Sequence, residues 1–159
     1  MSHWKLTAAA IAFAIAAAGI GRAGAAEQQL NPKAINIKLP DQIPWKRDSA
    51  NTMETAVLYG DPDKPGFYVK AYKWLPGHMS QPHWHPHDRM ITVVKGTWWV
   101  GTGSKFDPDS TVPVPAGSFV IHYGKEIHYD GAKDGEAWLV ISGEGPETAS
   151  PASAPPPAH

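Results

Sequence analysis

His83, His85 and His87 stand at alternate positions in the stretch QPHWHPHDRM (residues 81–90), and Arg89 continues the alternation. Alternate side chains on an extended strand share one face, so imidazoles at this spacing can aim nitrogen lone pairs at one point. Neutral nitrogen ligands suit a divalent transition metal. Arg89 is the anomaly, because a guanidinium stays protonated and has no lone pair to give. His78 lies just before this stretch, and His122 and His128 follow at a distance.

Strands must carry these residues. Between residues 43 and 145 no helical periodicity emerges. Short β-rich runs occupy 55–60, 66–77, 89–96, 97–103, 117–124, 126–131 and 136–143, separated by Gly, Pro and Asp. Runs at this spacing predict an all-β antiparallel sandwich or barrel. Lys95-Gly96 marks a tight hairpin, 60–66 and 131–136 are turns, and 103–117 reads as a longer loop. On such a scaffold, two imidazoles from one strand and one from a distant strand can meet inside the barrel.

The chain has 159 residues, a formal net charge of -1 and no cysteine. That length fits one domain, and the charge gives nucleic-acid binding no electrostatic support. Disulfides, thiolate metal sites and a cysteine nucleophile are excluded. Residues 1–25 combine Lys5, an apolar run and Ala23-Gly24-Ala25, the pattern of a secretory signal peptide cut after Ala25 or Ala26. The run is too short and alanine-rich for a comfortable membrane span, so a periplasmic or secreted protein is expected, with no membrane contact after cleavage. Residues 26–42 read as an N-terminal extension. Residues 146–159, built from Pro, Ala and Ser, read as a disordered tail with His159 a bystander.

Gly77, His83, His85, Arg89 and Gly96 stand at the intervals of the first motif of the cupin family, G-x5-H-x-H-x3,4-E-x6-G. Gly117 and His128 match the second motif, G-x5-P-x-G-x2-H-x3-N, although Tyr123 replaces its Pro, Lys125 its Gly, and Gly131-Ala132 its Asn. The chain thus resembles a small single-domain cupin over residues 43–145. The resemblance implies a single antiparallel jelly-roll barrel, commonly a homodimer, with a metal near its axis (Fe, Mn, Ni, Cu or Zn). It implies His83, His85 and His128 as ligands.

Arg89 stands where the family has its glutamate ligand, and three readings follow. Three histidines hold the metal and Arg89 is a cationic fork for a carboxylate-bearing small molecule, the catalytic role assigned to it here. Alternatively His87, Asp88 or His122 replaces the glutamate, with His122 the best placed. In the third, no metal binds and Arg89 is paired with Asp88, Glu126 or another carboxylate.

Trp84, Trp98, Trp99, Tyr123, Tyr129 and Trp138 read as core or dimer interface, with Trp98 and Trp99 facing opposite ways. Trp side chains, Phe119 and Met90 are candidate pocket lining. His78 reads as exposed, and Asp88 and Glu126 as partners for the ligands' second nitrogens. No G-x-S-x-G elbow and no phosphate-cradling loop before a helix occurs. The resemblance implies a metal-dependent enzyme, oxygenase-like or isomerase-like, on a small anionic molecule. A non-catalytic ligand- or metal-binding barrel or sensor domain stays open beside it, as does a structural or storage role.

Overall fold

β-Branched and aromatic residues dominate the runs between the turn signals, and these runs form strands. The computed structural model describes residues 30–154 and 156–157. The expected signal peptide lies outside the described residues. Residues 30–37, in a first unit, make a turn closed on the Asn31 carbonyl by the amides of Ala34 and Ile35.

In the second unit, Lys38–His159, the strands are β1 (Lys46–Arg47), β2 (Met53–Tyr59), β3 (Gly66–Trp74), β4 (His83–Trp84), β5 (Arg89–Lys95) and β6 (Thr97–Thr102). There follow β7 (Val112–Pro115), β8 (Phe119–His122), β9 (His128–Gly131), β10 (Ala137–Gly145) and β11 (Ser150–Pro151). They build a six-stranded sheet, β1-β2-β3-β10-β5-β8, and a five-stranded sheet, β11-β4-β9-β6-β7. Every pairing is antiparallel, as in a jelly roll.

Strand periodicity sorts the side chains. On β5, Arg89, Ile91 and Val93 are buried, while Met90, Thr92 and Val94 are exposed. The core joins Trp74, Ile91, Val93, Trp98, Ala132, Ala137, Leu139 and Ile141. Full burial of an Ile or Leu side chain contributes about 1.5–3 kcal/mol. Trp98 is buried and Trp99 is turned the other way, under the Lys133 ammonium. Met90 and Phe119 correct their reading as pocket lining: they lie on outward positions and are exposed, Phe119 at 63%, and Tyr123, at 61%, lies outside the core. For Met90 and Phe119, parity on β5 and β8 decides this, not hydrophobicity.

Two further corrections concern the backbone. β7 forms inside the expected loop, despite Pro113 and Pro115. It is an edge strand, where the missing N–H groups need no ladder partner. The supposed disordered tail is folded as far as Ala154. The Glu147 amide donates to the Pro62 carbonyl at 2.6 Å, and β11 pairs with β4. The Ala152 amide donates to the Pro82 carbonyl, and Trp84 Nε1 donates to the Ala154 carbonyl at 2.7 Å. Composition reports how little apolar mass this segment can bury, but polar bonds to the barrel hold it instead.

The β5–β6 hairpin turns at Gly96, which has φ +76°, and a Cβ there would lie 2.1 Å from the Glu136 carbonyl oxygen. Gly96→Ala is expected to lower unfolding stability by about 3 kcal/mol, combining left-handed strain with the clash. Urea unfolding of the variant and the parent measures this, and equal midpoints would contradict the close approach.

Candidate metal and ligand site

Register brings the site together. His83 on β4 lies opposite His128 on β9, and Arg89 on β5 lies opposite His122 on β8. The first pair belongs to one sheet and the second to the other, with His85 following β4. His85, Arg89, His122 and His128 are all buried.

One ligand atom from each of His83, His85 and His128 lies within 4.8 Å of the other two. Their outer nitrogens are fixed in the same way. His83 Nδ1 donates to the Gln81 carbonyl at 2.8 Å, His85 Nδ1 to the Thr148 carbonyl at 2.7 Å, and His128 Nδ1 to the Glu126 carbonyl at 3.0 Å. A carbonyl can only accept, so each Nδ1 carries a proton and Nε2 is the nitrogen left to act as acceptor or ligand. His85 Nε2 is buried and has no hydrogen-bond partner among the described residues. Three convergent imidazoles, one with an orphaned buried acceptor, fit a divalent transition metal. The acceptors are backbone carbonyls. The carboxylates expected for this role, Asp88 and Glu126, lie elsewhere: Asp88 accepts from the Gly124 amide and is exposed, as is Glu126.

Arg89 completes the picture from the other sheet. Its Nη2 donates to His122 Nδ1 at 3.2 Å and to His128 Nε2 at 3.3 Å. The His128 lone pair therefore serves Arg89 here, and a metal would compete for it. Nη1 lies 3.6 Å from Glu147 Oε1. The carboxylate facing Arg89 is thus Glu147, not Asp88 or Glu126. His87 is exposed, away from the convergent nitrogens, and His78 is half-buried beside a surface pocket. His122 and His128 also share a second ligand group with Asp130, all three buried.

Asp130 and Lys70 were not singled out from the sequence, although strand parity carried the signal. Asp130 is two residues past His128 on β9, and Lys70 alternates with Tyr68, Tyr72 and Trp74 on β3. A charged residue on the aromatic face of a strand points into the barrel. Trp98 Nε1 donates to Asp130 Oδ1 at 3.2 Å. A cavity of about 440 Å³ opens onto these groups, a size that takes a small organic molecule. His83, His85, Lys70, Arg89 and Asp130 line it along with Met53, Trp74, Trp98 and Ile141.

Electrostatics keep the imidazoles neutral. Burial first, then Arg89 and the neighbouring histidines, pushes His85 down to about 2. Burial and His83 push His128 down to about 3. Burial, with His128 and Arg89, holds His122 well below the usual histidine range. Burial raises Asp130 instead.

No protein-family model matches the chain, and no curated protein matches it. Solved structures do match. The polyketide cyclase RemF from Streptomyces resistomycificus aligns with a TM-score of 0.60 at 15% identity, over 74% of this chain and 84% of its own. KdgF from Halomonas sp. aligns with a TM-score of 0.54 at 17% identity, over 69% of this chain and 94% of its own. A cupin superfamily protein from Desulfitobacterium hafniense DCB-2 aligns with a TM-score of 0.51 at 11% identity, over 68% and 88% respectively.

The depressed histidines set a pH dependence. The unfolded chain protonates near 6.5 while the folded barrel resists, so folding loses stability as pH falls from about 6.5 towards about 3. Asp130, pushed upward by burial, opposes part of this loss. Chelator-treated protein is expected to be about 3 kcal/mol less stable at pH 5 than at pH 7. Denaturant unfolding at both pH values measures the difference, and equal stabilities would rule out neutral buried imidazoles.

Proposed function

The barrel is a cupin jelly roll, and from that premise we propose that it is an exported, metal-dependent enzyme acting on a small organic anion. The observation that carries the reading is the convergence of His83, His85 and His128, each with Nδ1 bonded to a backbone carbonyl, beside a cavity that His83 and His85 line. His83, His85 and His128 would hold a divalent transition metal. Bound there, it supplies Lewis acidity to a substrate oxygen.

The chain's own groups do the rest. Arg89 and Lys70 put cationic donors on the cavity wall, suited to a carboxylate. Met53, Trp74, Trp98 and Ile141 present apolar surface that excludes water from the bound molecule. Proteins of similar fold include enzymes by name, RemF and the DMSP lyase DddQ from Ruegeria pomeroyi DSS-3. They support enzymatic use of this architecture and do not specify the reaction. Export rests on the sequence pattern of residues 1–25.

A second reading, a binding barrel without chemistry, is favoured by the bond from Arg89 to His128 Nε2, which occupies a ligand lone pair. Elemental analysis of untagged protein separates the two. The enzyme reading expects a near-stoichiometric transition metal in the wild type. His83→Ala and His128→Ala should each lower metal affinity by more than about a hundredfold, beyond the cost of removing a mere partner of a ligand. Arg89→Gln should keep the metal and weaken carboxylate binding. Metal retained unchanged by both histidine variants would sink the ligand assignment, and a wild type that takes up none of Fe, Mn, Ni, Cu or Zn would leave the binding barrel.

A further inference from the structure

Glu147 enters the barrel from the folded C-terminal segment, and its side chain is only 8% exposed. Lys70 Nζ donates to its Oε2 at 2.5 Å, and the Tyr72 hydroxyl donates to its Oε1 at 2.6 Å. Arg89 Nη1 lies 3.6 Å from the same Oε1. One carboxylate therefore serves two cations, and the cluster keeps one positive charge in excess. Burying such charges is costly unless they are paired.

The placement of the cluster gives this charge a direction. Lys70, Tyr72 and Arg89 line the 440 Å³ cavity, while Glu147 lines a separate small pocket with Tyr68, His85 and Arg89. The carboxylate thus restrains the cations from behind; Lys70 Nζ keeps two further N–H donors for the cavity, whereas Arg89 Nη2 is engaged by His122 and His128 and the guanidinium acts there chiefly through its charge. The same segment reaches the histidines, since the Thr148 carbonyl accepts from His85 Nδ1 and Ala149 lines the cavity.

We propose that Lys70 and Arg89, held by Glu147, form a subsite for the single carboxylate of a compact, apolar-bodied organic acid, and that Glu147 is the positioning residue that lets this cationic pair stand beside a metal. The metal half rests on the three-histidine reading, whereas the anion half stands without it. The excess charge calls for one anionic group, and Met53, Trp74, Trp98 and Ile141 call for an apolar body. A dication and an unopposed guanidinium repel even through partly polar protein, so the Glu147 charge favours the metal while it weakens the anion.

That opposition supplies the test. Co²⁺ binding is followed by its visible absorption, and benzoate and neutral benzamide are titrated calorimetrically, on the full protein. Glu147→Gln is expected to weaken Co²⁺ about tenfold and tighten benzoate about tenfold, and Lys70→Gln to do the reverse. Glu147→Asp keeps the charge and should return both affinities towards wild type, with benzamide indifferent throughout. A merely structural role would move Co²⁺ and benzoate in the same direction, and that result, or no change in either, overturns the proposal. If Glu147→Gln does not fold, Lys70→Gln and Glu147→Asp decide it alone. A wild type that binds benzoate but no Co²⁺ defeats the metal half together with the three-histidine reading. Benzoate affinity unchanged in Lys70→Gln defeats the subsite.

Discussion

A guanidinium inside a barrel is the constraint on which the rest of this site depends. Arg89 cannot shed its proton, so burial has to be met by acceptors and a counter-charge. His122 and His128 supply lone pairs, and Glu147 supplies the charge. Because Glu147 lies past the last long strand, the chain end must fold back over the barrel to deliver it. The fold of residues 146–154 is therefore tied to a residue near the middle of the chain.

Burial keeps the histidines neutral, and the same cation adds to it. Imidazolium ions beside Arg89 would add charge to a buried, already positive cluster, so burial and repulsion act together on His85, His122 and His128. Neutrality is also the state in which a nitrogen can serve as a ligand. Backbone carbonyls from Gln81, Glu126 and Thr148 then set which nitrogen stays free. Charge and tautomer thus converge on one arrangement: lone pairs inward, N–H groups outward.

Backbone detail holds these groups in place. Lys125 adopts φ +67° at the position where the family's second motif has glycine, and its amide donates to the His85 carbonyl. A side chain in that conformation costs about 1–2 kcal/mol, which the motif's glycine avoids. The departures at Arg89 and Lys125 differ in kind. Lys125 is a local backbone cost, whereas Arg89 changes the charge of the cavity.

By itself, the sequence determined what has a local period or spacing. The alternation of His83, His85 and Arg89, the glycines at Gly77 and Gly96, and the short runs between turns all follow from a two-residue repeat that each strand carries alone. Lys70 and Asp130 were legible by the same parity, had it been followed onto β3 and β9. Tertiary structure alone decided which of these faces meet. The opposition of His83 to His128 and of Arg89 to His122 depends on strand register across the two sheets. Glu147 depends on the return of a Pro/Ala-rich segment whose composition argues against folding. Composition measures how much apolar surface a segment can bury. It says nothing of a single carboxylate drawn to two buried cations that lie far away in the chain.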